Sequence, residues 1–207
     1  MNSRFLHSGN DYIGIKICGL QDEECVDVAV GAGADAIGFV FANNSPRCID
    51  RDLAEQLLKQ IPNDVIPIAV LQDEQDLGSF CDWPGMLQLC GNESEEEILE
   101  LNLPVIKAFK WDLDEVLRWD SFGGLEAILV DGGVGGKGEM FDITTLANIM
   151  PRLKTSVIIA GGLTPSNVNQ VISTASPTAV DVSSGIESSI GVKDPTLICD
   201  FISAIRG

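Results

Sequence analysis

The 207-residue sequence predicts a single (β/α)8 barrel of the α/β class. Three observations point there: eight short Val- and Ile-rich runs of strand length, segments of helical spacing between them, and small-residue turns after the last two runs. A doubly wound open sheet is the alternative, because strand number alone does not close a ring.

Residues 1–12 read as an N-terminal tail and residues 13–207 as the barrel domain. The first four runs are "IGIKICG" (13–19), "ADAIGFVF" (34–41), "VIPIAVLQ" (65–72) and "GMLQLCG" (85–91). The second four are "VIKAFK" (105–110), "LEAILVDGG" (125–133), "SVIIAGGL" (156–163) and "TAVDVSSG" (178–185). Each is bounded by Gly, Pro or polar residues, as strands in alternating units are. Between them, Ser94 with Glu97 forms a capping box, and Thr164–Pro165 and Asp194–Pro195 put a proline where a first helical turn accepts one. Helical spacing also runs over 74–82 and 112–121. The acidic stretch "ESEEEILE" reads as a solvated helix start, its carboxylates at the positive end of the dipole.

Composition narrows the function classes. Hydrophobic residues are 45% and charged ones 21%, and no apolar run reaches bilayer length. The N-terminus lacks an apolar stretch of signal-peptide length, so a cytoplasmic location is expected. Thirty-one acidic against thirteen basic residues give a net charge of −18, which repels phosphate backbones and anionic lipid. Neither nucleic acid nor membrane is an expected partner. The six cysteines form no CxxC pair, so reduced thiols and no metal site are expected. His7 is the single histidine, which leaves acid–base chemistry to Asp, Glu, Cys or Lys.

A barrel collects its chemistry at the carboxyl ends of its strands. Those ends hold Cys18, Cys90, Lys107 or Phe109, Asp131, Gly161 with Gly162, and Ser183, Ser184 and Gly185. Strand alternation turns Lys16 and Cys18 to the interior and Ile13, Ile15 and Ile17 under the helices. A buried lysine needs a counter-charge, and Asp181 on the eighth strand is the candidate; a core ion pair and a catalytic lysine both fit. Cys18 is either a small buried hydrophobe or a thiol whose pKa the nearby ammonium lowers. Gly161 and Gly162, with Ser183, Ser184 and Gly185, expose backbone N–H groups after consecutive late strands, the usual barrel site for phosphate. The glycine-rich stretch "VDGGVGGKGEMFD" (130–142) lacks a P-loop ending and reads as a surface lid. Asp131, just before it on an inward face, is placed as a proton donor.

Taken together these residues resemble the phosphoribosylanthranilate isomerase family, barrel enzymes of tryptophan biosynthesis. The blocks are "KICGL", "AGADAIGFVF" followed by "SPR", "LQLCG", "VIKAF", "GGKGEMFD", "AGGLTPSNV" and "VDVSSGIE" with "KD" after it. They run in order from about residue 13 to 206. The resemblance implies an Amadori rearrangement of N-(5-phosphoribosyl)anthranilate to 1-(2-carboxyphenylamino)-1-deoxyribulose 5-phosphate, with no cofactor, in a monomer or homodimer. It implies Asp131 as the general acid on the ring oxygen, Cys18 as the general base on the C2′ proton, and Arg47 as ligand of the anthranilate carboxylate. Lys16, Cys90 and Asp181 fall among its substrate-binding positions, and the glycine and serine turns bind the phosphate. The two roles require opposite shifts in one pocket, a carboxyl that keeps its proton and a cysteine that is substantially thiolate.

Three departures stand out. Cys90 occupies a position where the family commonly has histidine, Glu139 one where it has lysine, and Ile143 one where it has tryptophan. Lys137, two residues before Glu139, offers a compensating cation. Two other readings are a related indole-glycerol-phosphate barrel, which "KICGL" and "SPR" argue against, and a phosphate-ligand-binding barrel without turnover.

Overall fold

The computed structural model describes residues 4–6, 12–73, 76–132 and 143–207. Eight parallel strands close into a barrel in sequence order: β1 (Gly14–Cys18), β2 (Ala36–Val40), β3 (Ile66–Leu71), β4 (Met86–Leu89), β5 (Val105–Lys110), β6 (Ala127–Asp131), β7 (Ser156–Ala160) and β8 (Ala179–Val182). The ring shuts where β1 pairs with β8, Lys16 lying beside Asp181. Closure excludes the open sheet.

The helices are α1 (Glu23–Ala32), α2 (Arg51–Leu57), α3 (Glu95–Leu99), α4 (Leu113–Phe122), α5 (Ile143–Ile149), α6 (Val168–Ala175) and α7 (Pro195–Arg206). Side-chain caps start most of them: Asp22, Asp50, Asp112 and Asp194 accept from first-turn N–H groups, and Ser94 with Glu97 forms the expected reciprocal box. Proline sits in the first turn of α7, as its sequence requires.

Three local features differ from the expectation. Between β3 and β4 the described residues form only a 3-10 turn, Leu77–Phe80, in place of a helix over 74–82. Thr164–Pro165 does not open α6, which begins at Val168. The Asn167 side chain instead accepts from the Thr164 N–H at 2.8 Å and donates to Gly162 O at 2.9 Å, which stabilises a turn over those residues. After β8 comes an antiparallel hairpin, β9 (Glu187–Ser189) and β10 (Val192–Lys193), that periodicity did not reveal.

Strand alternation sorts the core into two layers. Ile15, Ile17, Ile37, Leu87, Val130 and Ile159 face outward beneath the helices. Ile66, Ile68, Ile106, Leu129 and Ile158 fill the ring's interior, together with Phe5 from the segment before β1. Phe5 is fully buried, and its carbonyl oxygen lies 2.1 Å from where a Cβ on Gly14 would stand, so only glycine admits it. At the base, Arg206 of α7 donates to Ile13 O at 2.7 Å and to Asp35 at 2.6 Å, tying the last helix to the start of β1.

Ile106 and Ala108 take the interior face of β5, so of the two strand-end candidates Lys107 is turned outside the ring, whereas Phe109, packed against the outer layer, still borders the cavity at the strand's end. The Lys107 ammonium is buried outside the ring, donating to Glu93 at 2.6 Å and to Gly91 O at 2.6 Å, with the Trp119 ring 5.6 Å away. Breaking a buried pair by deleting one partner strands the other charge. Glu93→Ala is therefore expected to cost about 3–5 kcal/mol in urea unfolding; a loss under about 1 kcal/mol would show that water reaches Lys107 and the pair is effectively a surface one.

Candidate active site

The pairing of β1 with β8 sets the floor of the site. Lys16 Nζ meets Asp181 Oδ1 at 2.8 Å, with side-chain exposures of 0% and 9%. Burial alone would lower the lysine's pKa, but the Asp181 carboxylate and Cys18 raise it above its ordinary value, so the ammonium is permanent. Cys18 lies one step further along the same face and is 6% exposed. A Cβ on Gly38 of β2 would stand 2.8 Å from Cys18 Sγ and 3.1 Å from Lys16 Nζ, so the glycine vacates the space that both groups use.

Cys18 departs from the expectation of a standing thiolate. Burial pushes its thiol up; the Lys16 ammonium pulls it down, and Asp181 pushes it up again. Burial wins because Asp181 already neutralises much of the lysine's field. The resting site holds a thiol.

Above this floor, at the carboxyl ends of the strands, opens a cavity of about 780 Å³. Asp181 and Cys90 lie on its wall, together with Gln88, Ala108 and Leu129. Asp131 ends β6 on the inward face, as alternation requires, and borders the same cavity; Lys110 donates to it at 2.5 Å. That pair is largely exposed on the lysine side, at 68%. Lys16 is sealed beneath the cavity and Cys18 is nearly so, and neither contributes to its wall.

The two small-residue turns meet on one side. Gly161 and Gly162 adopt φ of 86° and 69°, the left-handed region that glycine enters at little cost. A Cβ on Gly185 would stand 1.7 Å from Leu163 O, so the turn after β8 presses its backbone against the turn after β7. Gly161, Gly162, Ser183, Ser184 and Gly185 all border the cavity.

Arg47, in the loop after β2, is not among the residues bordering the cavity; a Cβ on Gly19, just after β1, would stand only 2.7 Å from its Cδ. Its Nε and Nη2 donate to the two oxygens of Glu187 at 2.6 and 2.8 Å. Glu187 also accepts from Lys193 Nζ at 2.8 Å and from the Gly191 N–H at 3.1 Å.

Sequence reasoning passed over three residues here. Gln88 is 4% exposed and donates through Nε2 to Cys90 Sγ at 3.4 Å. Its Oε1 is the buried side-chain oxygen left without a hydrogen-bond partner among the described residues. A glutamine alternating with Met86 and Cys90 inside an apolar strand was the available signal. Glu187 and Lys193 lay in quoted blocks without a role, since nothing in their spacing announces a hairpin. Burial also carries the Cys90 thiol up to about 11, so it sits neutral beside the cavity. The glycine-rich loop from residue 133, including Lys137 and Glu139, and the lone His7 fall outside the described residues. Among those described, no group of His, Cys, Asp or Glu is arranged to hold a metal ion, and no helix is long and apolar enough to cross a membrane.

Comparison with known proteins places this arrangement. Residues 15–204 match the family model for N-(5′-phosphoribosyl)anthranilate (PRA) isomerase. Relatives of that name include one from Marinomonas, 37% identical over 93% of this chain and 97% of its own. Another from Dechloromonas aromatica is 40% identical over 93% and 95%. The crystal structure of phosphoribosyl anthranilate isomerase from Thermotoga maritima superposes with a TM-score of 0.84 at 32% identity, covering 95% of this chain and all of that one. A further structure of such an isomerase, in complex with reduced 1-(o-carboxyphenylamino)-1-deoxyribulose 5-phosphate, superposes at 0.82 with 31% identity, 95% of this chain covering 100% of that one. The chain belongs to the N-(5′-phosphoribosyl)anthranilate isomerase family, isomerases of tryptophan biosynthesis.

Proposed function

We propose that the cavity rearranges N-(5-phosphoribosyl)anthranilate to 1-(2-carboxyphenylamino)-1-deoxyribulose 5-phosphate with Asp131 as general acid and Cys18 as general base. The observation that carries this reading is a carboxyl and a cysteine on the inward faces of β6 and β1, with the two glycine turns, in backbone contact with each other, following β7 and β8 between them in the ring. A phosphorylated ligand is supported by the relative crystallised with a reduced product. A monomer or a homodimer is proposed, the latter on the strength of the dimeric Thermotoga maritima relative. A cytoplasmic location accompanies the proposal, from the sequence alone.

The steps balance as follows. Asp131, protonated when its ion pair with Lys110 opens, delivers a proton to the ribose ring oxygen as the C1′–O bond breaks, and the anilino nitrogen's lone pair forms the iminium. Cys18, in the thiolate form left when its thiol proton passes to solvent, then takes the C2′ proton, the C–H electrons moving toward the iminium to give an enolamine. That species returns to the ketone when its hydroxyl proton is lost and C1′ is protonated. The phosphate rests on the N–H groups of the two turns, which border the cavity. The deep position of Cys18 lets the substrate exclude water from the base, while the Lys16 ammonium favours the thiolate as it forms.

Cys18→Ala and Asp131→Ala are each expected to lower kcat by about 10²–10⁴-fold with little change in Tm. Loss of phosphoribosylanthranilate fluorescence with freshly made substrate measures it, and near-wild-type turnover in both variants would exclude the assignment. Product analysis separates this reaction from a ring-closing barrel, and binding without turnover would identify a non-enzymatic binder.

The resting thiol also sets a pH dependence. Because Cys18 starts protonated, kcat/KM should climb with pH, about tenfold per unit below the thiol's own pKa. Lys16→Met should move that limb to higher pH and Asp181→Asn to lower pH, opposite signs that follow from the charge each removes. Shifts of the same sign in both variants would rule out this electrostatic account of the floor.

Gly185→Ala must separate the two turns, since its Cβ would overlap Leu163 O. We expect affinity for the reduced product analogue, by calorimetry, to fall roughly tenfold or more. Unchanged affinity would place the phosphate elsewhere.

A further inference from the structure

Arg47 is engaged by a carboxylate of its own chain. Glu187 takes the Nε and Nη2 edge of its guanidinium as a bidentate pair, in the geometry a substrate carboxylate would otherwise use. A guanidinium carries five N–H groups in a planar fork. With the Nε/Nη2 edge taken, Nη1 makes no hydrogen bond among the described residues, and the Nη1/Nη2 end can take a second carboxylate.

Glu187 is itself held firmly. Its side chain is 4% exposed, and the Lys193 ammonium that pins it is 1% exposed and also donates to Ser183 O at 2.9 Å. Burial would raise the Glu187 carboxyl, but hydrogen bonds from Arg47, Lys193 and the Gly191 N–H bring it down to about 2. The hairpin bearing Glu187 also rests on the loop bearing Arg47, since a Cβ on Gly191 would stand 2.9 Å from Pro46 O. Two cations against one carboxylate leave a net positive cluster on a chain of charge −18. Such a cluster suits an anionic aromatic group approaching the rim.

We propose that Glu187 is the positioning residue for Arg47: it fixes the guanidinium's plane and turns the remaining edge toward the anthranilate carboxylate. The proposal rests on the reading of Arg47 as that carboxylate's ligand. It makes recognition a preset fork instead of a long side chain that orders on binding, which is where Arg otherwise loses rotamer entropy.

The test compares Arg47→Ala, Glu187→Gln, Glu187→Asp and the Arg47→Ala/Glu187→Gln double variant by steady-state kinetics. Binding of the reduced product analogue is measured beside that of its counterpart lacking the ring carboxylate. Glu187→Gln is expected to raise KM at least tenfold with kcat within about threefold, and to leave affinity for the carboxylate-free analogue within about threefold. Glu187→Asp, which keeps the charge and so the fold, should shift KM in the same direction. The double variant should match Arg47→Ala within about twofold, because a residue acting only through Arg47 adds nothing once Arg47 is gone. If Arg47→Ala raises KM but both Glu187 variants leave it unchanged, the positioning role is overturned while the carboxylate reading stands. Equal losses for both analogues, or a fall in kcat and Tm at constant KM, likewise reduce Glu187 to a structural residue. If Arg47→Ala itself leaves KM unchanged, the carboxylate reading fails and the proposal fails with it.

Discussion

The contact on which the site depends is the ion pair between Lys16 and Asp181, 2.8 Å long and sealed inside the ring. It joins the first strand to the last, so it exists only in a closed barrel, and it sits directly beneath Cys18, the base we propose. An unpaired ammonium there would be prohibitively costly, and an unpaired carboxylate equally so. Because neither partner is useful without the other, closure and the electrostatic floor of the active site are one event. The pair also explains why the lysine does not simply ionise Cys18. Its field is shared with Asp181, and burial of the thiol then decides the balance.

Similar logic recurs at two other places, with different consequences. Lys107 and Glu93 are paired beneath the helices, away from the cavity, where the pair can only stabilise. Lys193 and Glu187 are paired at the rim, where their carboxylate reaches onward to Arg47. Location relative to the ring, and not the chemistry of the pair, separates scaffold from function. A strongly acidic chain can thus present local positive edges to an anionic substrate, since surface charges beyond about 8 Å are screened at physiological salt.

The wall of the cavity carries this chain's own chemistry. Cys90 stands where the sequence resemblance implies a histidine, and its thiol remains neutral, pushed up to about 11 by burial. A group that could donate or accept and change charge near neutral pH is replaced by a weak, uncharged one. The adjacent Gln88 donates to Cys90 Sγ, and its own carbonyl oxygen is buried without a partner among the described residues.

Much of this was legible in the chain alone. Eight apolar runs became eight strands within a few residues, because inward and outward faces of a barrel strand are both buried and the runs read continuously. Inward placement of Lys16, Cys18 and Asp131 followed from the two-residue period, and the Lys16–Asp181 pair from the cost of leaving either charge alone. What only the tertiary structure decided depends on which strand ends and loops come together. Lys107 pairs with Glu93 outside the ring, Glu187 meets Arg47 140 residues away in sequence, and Gly185 touches Leu163 across two turns. The state of Cys18 belongs to the same class. A charge neighbour is visible in sequence, but the depth of burial that outweighs it is a property of the packed barrel, because desolvation depends on every atom that displaces water from the thiol.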